Sequence, residues 1–136
     1  MANYKIDHIE GIGPAYAEKL RAAGIKSVSA LLEKGATKKG RQEIVEKTGI
    51  SDQLILKWVN MADLYRIQGI GSEYAELLEV AGVDTVKELR NRNAENLLAK
   101  MKEVNEEKKL VRQLPNLKMV QSWIDHAKTL DPKVTY

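Results

Sequence analysis

Apolar residues recur at spacings of three and four along most of the chain, which predicts short amphipathic helices. The clearest stripe is a set of six residues that would share one face of a single helix: Leu54, Ile55, Trp58, Val59, Ala62 and Tyr65. A second stripe predicts a final helix over about residues 116–130 with five buried residues: Leu117, Val120, Trp123, Ile124 and Ala127. No segment alternates apolar and polar residues long enough to predict a strand. We therefore expect an all-α protein of about eight to ten short helices.

One stretch of the sequence occurs twice, 58 residues apart: residues 9–25 return with similar residues at 67–83. Similarity at a fixed offset indicates a duplicated structural unit. The sequence predicts a single compact domain over residues 1–136, made of two pseudo-symmetric repeats, 1–66 and 67–136. Trp58 and Trp123 would be equivalent core residues, and their spacing of 65 gives the second repeat 7 extra residues. Seven residues add about two helical turns.

Each repeat opens on two glycines that flank one isoleucine. The first set is Gly11, Ile12 and Gly13, and the second is Gly69, Ile70 and Gly71. Such a pair predicts a tight bend whose backbone angles favour glycine. A helix would follow each bend, started in the first repeat by Pro14, whose fixed φ suits a first helical position.

Polar residues and glycines predict the helix ends. Gly24 and Gly82 are expected to end helices in the left-handed conformation. Side-chain caps are expected at five positions: Ser27, Thr37, Ser51, Thr85 and Asn93. Thr85 and Glu88 have the spacing of a reciprocal capping box. Residues 105–109 are polar enough to predict a break or a solvated turn, and Asp131-Pro132 predicts the end of the last helix before a short tail.

Charge and composition exclude several kinds of site. The net charge of +3 comes entirely from residues 1–66, where Lys34, Lys38, Lys39 and Arg41 form a weak basic patch. Without cysteine there is no disulfide, thiolate chemistry or cysteine-bound zinc. His8 and His126 are far apart in sequence, so we expect no metal, no cofactor and no catalytic residue. No apolar run reaches membrane-spanning length and residues 1–8 lack a signal-peptide core, so we expect a cytoplasmic protein.

The repeated pattern, apolar-x-Gly-apolar-Gly-x-x-x-Ala-x-x-Leu, resembles the helix-hairpin-helix motif. The longer pattern adds Tyr-Ala-Glu after the bend, Ala-Gly-Ile or Ala-Gly-Val after the helix, and a late tryptophan helix. It resembles a bacterial family of uncharacterised tandem helix-hairpin-helix proteins, a domain of unknown function. Ala62-Asp63-Leu64 and Leu114-Pro115 fit that family as well. The resemblance covers nearly the whole chain but brings no established activity with it.

The wider helix-hairpin-helix class implies a mechanism in which amides at a helix N-terminus bind a phosphate oxygen. Such contacts read the backbone of a nucleic acid and not its bases. The resemblance places the donors of the first bend at Gly11, Ile12, Gly13 and Ala15. In the second bend it places them at Gly69, Ile70, Gly71, Ser72 and Glu73.

The sequence departs from the DNA-binding members of that class at the position just after each bend. Those members usually have a basic residue there, whereas this chain has Ala15 and Glu73. A carboxylate beside a phosphate site repels the ligand by about 1 kcal/mol at surface dielectric. We expect a structural second bend and a modest phosphate site at the first, helped by five basic residues: Lys19, Arg21, Lys38, Lys39 and Arg41.

The sequence is compatible with two functions. One is a module that binds the DNA or RNA backbone weakly and with salt sensitivity; the other is a protein-interaction or assembly scaffold whose bends are purely structural. No catalytic motif is present, which disfavours an enzyme. Tyr16 and Tyr74 occupy equivalent positions after the bends, where we expect them to brace the bends and not to form an exposed pair.

Overall fold

The computed structural model describes residues 4–136, and over that range it is all-helical, without a β-strand. A 3-10 turn, Ile6–His8, comes first. The α-helices follow as α1 Pro14–Ala22, α2 Val28–Gly35, α3 Lys38–Thr48, α4 Asp52–Leu64, α5 Ser72–Val80, α6 Val86–Leu89, α7 Ala94–Lys108 and α8 Leu117–Ala127. The predicted all-α fold is confirmed. Residues 1–3, part of the segment expected to lack a signal peptide, lie outside the described residues.

The described residues form two compact units. The first contains residues 4–63 together with Lys133–Tyr136, and the second is Leu64–Pro132. In the first unit α2 packs on α3, and α1 contacts both α3 and the 3-10 turn. In the second unit α7 packs on α8, α5 contacts α7, and α6 contacts α8. The short tail therefore belongs to the first unit, although the sequence places it after the second.

Each unit has its own core of aliphatic side chains around one tryptophan. Trp58 and Trp123 are 1% and 2% exposed, which confirms their predicted burial. The first core includes Ile6, Leu20, Ile25, Val28, Leu31, Leu32, Ile55 and Val59. The second includes Leu77, Leu78, Val83, Val86, Leu89, Met101, Val120 and Ile124. Burying one such side chain contributes about 1.5–3 kcal/mol, so these residues supply most of the driving force for folding.

Side chains cap most of the helices at the predicted positions. The Ser27 and Thr37 hydroxyls accept from the amides of residues 30 and 40, at 3.1 and 3.0 Å. Ser51 and Asn93 cap α4 and α7 in the same way. The predicted capping box is only half formed: Thr85 accepts from the Glu88 amide at 3.4 Å, but the Glu88 carboxylate binds Arg92.

Two predictions about the second unit were wrong. Leu117 is 43% exposed and not buried, because it is the first residue of α8 and precedes the part of the stripe that other helices cover. The expected break at 105–109 is helical through Lys108, and only Lys109 leaves the helix, with φ +51°. The chain then turns back through the Asn105 side chain, which accepts from the Val111 amide at 3.0 Å.

Candidate functional site

The first glycine of each bend is required by its backbone conformation. Gly11 and Gly69 both have φ of +94°, in the left-handed region that other residues rarely adopt. The isoleucine after each glycine anchors the bend, since Ile12 and Ile70 are 4% and 3% exposed. Their amides donate to the carbonyls three residues earlier, at 3.1 and 3.2 Å. The bends are therefore held by a buried side chain and one internal hydrogen bond.

The second glycine of each bend has no such requirement. Gly13 has φ −81° and ψ −179°, and Gly71 has φ −107° and ψ −161°, which is extended backbone open to any residue. A Cβ added to either glycine would meet no atom of the described residues within 4 Å. The expectation that both glycines take unusual angles is thus wrong for the second one. What the missing side chain does provide is open space in front of the helix start.

The helix that follows the first bend begins without a side-chain cap. Gly13 is its N-cap residue, and Pro14 has no amide hydrogen. The amides of Gly11, Gly13 and Ala15 have no acceptor in residues 4–136. The Ile12 amide, by contrast, donates to the Ile9 carbonyl. The expectation that Ile12 is a phosphate donor is therefore wrong, and Ile12 only anchors the bend.

The second bend is built in the same way but has a different chemical setting. The amides of Gly69, Gly71, Ser72 and Glu73 have no acceptor among the described residues. Glu73 is exposed in the first turn of α5, however, whereas the first turn of α1 contains no acidic residue.

Further contacts distinguish the second bend. The Gln68 amide, next to the bend, donates to Nδ1 of His126 at 3.2 Å. Leu77, fully buried, stands in α5 at the position of the exposed Lys19 in α1. The second bend therefore has a carboxylate close to its helix start and no lysine on the following turn.

An aromatic pair supports each bend, as predicted. The Tyr16 ring packs edge-on against Trp58 with centroids 5.2 Å apart, and Tyr74 packs against Trp123 at 5.1 Å. Each tyrosine lies in the first turn of its helix, so the pair links the helix start to the core. The Tyr74 hydroxyl also donates to the Gln113 carbonyl at 3.1 Å.

The predicted basic residues do not form one group. Lys19 is exposed four residues after Ala15 and so lies on the same side of α1. Arg21 is exposed but forms an ion pair with Asp7 at 3.5 Å. Lys38 and Lys39 are exposed at the start of α3, close to Gly40, which shares a small cavity with Ala23. That cavity is at the opposite end of α1 from the bend, so only Lys19 is on the bend's own helix face.

Arg41 is not a surface residue, which corrects its assignment to the basic patch. It is 7% exposed and donates to the carbonyls of Gly35, Ala36 and Thr135 at 2.9, 3.1 and 2.6 Å. Burial lowers the pKa of its guanidinium, and the nearby Tyr136 opposes that shift. The sequence does contain a signal for the burial of Arg41: it lies three residues before the buried Ile44, which puts it on the inner face of α3.

Between residues 4 and 136, no cluster of three or more histidine, aspartate or glutamate side chains is arranged to hold a metal ion. Over the same range, no helix has the length and apolar character needed to cross a membrane.

These features define an all-α protein in which two glycine bends each open a helix and each lie against a buried tryptophan. A family model described as Domain of unknown function (DUF4332) matches residues 10–130, which include both bends. The protein belongs to this family. No solved structure matches the chain.

Proposed function

We propose that this protein is a non-catalytic module that binds the phosphate backbone of a nucleic acid, without sequence preference, through its first glycine bend. On this proposal the bends are helix-hairpin-helix turns in tandem, and the two units are pseudo-symmetric copies. The protein would act in the cytoplasm. The ligand would be a DNA or RNA backbone, held weakly.

The observation that supports this most is the set of amides at Gly11, Gly13 and Ala15, which have no acceptor in residues 4–136. They lie at an exposed helix start, where the helix dipole also favours an anion. A phosphodiester oxygen accepts hydrogen bonds from such amides without any contact to a base. Gly13 also supports the proposal, because no atom of residues 4–136 lies close enough to its missing Cβ to require a glycine there.

The charges near the bend favour the first unit over the second. Lys19 is exposed one turn after Ala15. Glu10, next to Gly11, and Glu18, next to Lys19, are also exposed. The local charge is therefore mixed, and main-chain donors would provide most of the binding. Since one or two phosphates would be neutralised, log K should fall against log salt with a slope of about −1 to −2.

Fluorescence anisotropy with labelled duplex and single-stranded DNA tests this function. We expect binding at low salt that weakens as salt rises, with similar affinity for unrelated sequences. Lys19→Ala should reduce the salt slope by about 0.9, because one phosphate contact is lost. Lys102→Ala, at an exposed position in the second unit, is the matched control and should change nothing. The absence of binding at low salt would rule the function out.

The second candidate function is a protein-interaction or assembly scaffold with structural bends. The observation that favours it is Glu73, exposed in the first turn of α5, where it would repel a phosphate. A light-scattering mass above that of one chain, or capture of a specific partner in a pull-down, would support this function. A monomer that captures nothing would count against it.

A further inference from the structure

The tryptophan behind the first bend presents its one polar atom to the bend. A Cβ built on Gly11 would lie 3.5 Å from Nε1 of Trp58, so the indole N–H stands beside an exposed residue with no side chain. The same ring packs against Tyr16 in the first turn of α1. The indole therefore spans from the bend to the helix start, the two places where the amides of the proposed site lie.

This indole N–H has no acceptor in residues 4–136, although the residue is only 1% exposed. In that part of the chain no fully buried side-chain nitrogen or oxygen lacks a hydrogen-bond partner. Nε1 must therefore reach the surface, and it does so next to Gly11. A nearly buried ring whose exposed part includes its donor atom is suited to a ligand that arrives at the bend.

We propose that the Trp58 indole N–H is a donor to the same phosphate oxygens as the amides of Gly11, Gly13 and Ala15. The inference rests on the proposed function, because it assigns a further binding residue to that site. The ligand class is a phosphodiester or phosphate oxyanion. A fixed indole donor costs little ordering on binding, because Trp58 is already packed in the core.

The second unit contains the same arrangement in a setting that disfavours an anion. A Cβ on Gly69 would lie 3.2 Å from Nε1 of Trp123, which also has no acceptor among the described residues. There the helix starts with Glu73, whose carboxylate repels a phosphate. Trp123 is therefore an internal control: it has the same ring and the same glycine, but we expect no bound oxyanion.

NMR of a ¹⁵N-labelled sample follows Trp58 and Trp123 separately, since the chain has two tryptophans and gives two indole N–H signals. Trp58→Phe and Trp123→Phe assign the signals. The wild-type protein is then titrated with a short duplex and, separately, with inorganic phosphate. We expect the Trp58 signal to move downfield and saturate with the midpoint of the anisotropy curve, while the Trp123 signal stays in place. Trp58→Phe should bind the duplex about threefold to tenfold more weakly, and Trp123→Phe should bind like the wild type.

The outcomes separate the inference from the function. If the duplex binds while the Trp58 signal stays in place, the inference is overturned and the function stands. If only phosphate moves the Trp58 signal, the donor is supported and nucleic-acid binding is overturned. If neither ligand has an effect, both fail. The wild-type titration keeps the test valid even if Trp58→Phe unfolds, which far-UV circular dichroism would show.

Discussion

Gly11 and Gly13 in the first bend differ in what the fold requires of them. Gly11 is needed for its left-handed backbone, whereas Gly13 is extended and has open space around its absent side chain. A fold-only explanation covers Gly11 but not Gly13. The pair therefore offers a direct way to separate stability from function.

Gly11→Ala should destabilise the protein by about 1–2 kcal/mol, because an alanine at positive φ is strained. Gly13→Ala should leave the free energy of unfolding unchanged or raise it by about 0.4–1 kcal/mol, since its backbone suits alanine and the unfolded chain loses freedom. The new methyl group would nevertheless stand in the space that we assign to the ligand. Urea unfolding and DNA anisotropy of both variants measure the two effects.

Gly71→Ala is the control for Gly13→Ala, because it makes the same change in the second bend. It should change the free energy of unfolding about as much as Gly13→Ala does, because both glycines have extended backbone and open space, but it should leave DNA binding unchanged. Unchanged DNA binding by Gly13→Ala would contradict the assignment of the first bend as the ligand site.

Whole helices differ in how their first turns are charged, and the proposed function assigns the phosphate to the bend whose helix has no acidic first turn. The first turn of α1 has no acidic residue, and the first turn of α5 has Glu73. Ala15→Glu gives the first repeat the acidic residue that the second repeat has as Glu73. It should weaken DNA binding by about 1 kcal/mol, roughly fivefold. The neutral variant Ala15→Gln should bind nearly as well as the wild type. Equal losses for the two variants would mean that size, and not charge, disturbs the site.

The start of α6 supplies a pH-dependent contribution to stability. Asp84 is exposed, but partial desolvation raises the pKa of its carboxyl, the Glu88 carboxylate raises it further, and Arg92 opposes the shift. The folded state then binds this proton more tightly than the unfolded state, so stability is lost as pH rises through the folded-state pKa. The asparagine of Asp84→Asn cannot titrate, so the variant should not show this loss of unfolding free energy as pH rises. Unfolding free energies of both proteins over the acid range test it; a difference that is constant with pH would contradict it.

The sequence predicted the helices and bends well because local rules determine them. Periodicity located the buried tryptophans, and hydroxyl or amide side chains marked the caps. It did not predict the burial of Arg41, which depends on three carbonyls brought together by the fold. The sequence also could not show that the Ile12 amide has an acceptor in residues 4–136 and that the Trp58 indole N–H has none there, since both depend on distances between atoms.

At the scale of the whole molecule, residues 133–136 complete the first unit. The Thr135 amide donates to the Ala36 carbonyl at 2.8 Å, and the Thr135 carbonyl accepts from Arg41. Val134 is 8% exposed, and the Tyr136 hydroxyl bonds to the Asn60 side chain at 3.2 Å. The segment that looked like a tail is therefore a structural part of the first unit.

Deletion of residues 133–136 should lower the free energy of unfolding by about 2–3 kcal/mol, because Arg41 loses an acceptor and Val134 is no longer buried. Chemical denaturation followed by tryptophan fluorescence measures this loss. Thr135→Ala keeps the main-chain acceptor and should cost far less. A deletion variant as stable as the full chain would show that the contacts of this segment contribute nothing.

The position of this segment in the sequence also affects synthesis. The ribosome makes the bend, its helix and the tryptophan behind it early, but the residues that finish the same unit come about 70 positions after residue 63. At typical elongation rates the nascent unit would wait roughly 4 to 15 s for its last residues. Through that interval Arg41 lacks one of its acceptors, so a ribosome-bound first unit should be more sensitive to protease than the same residues in the finished protein.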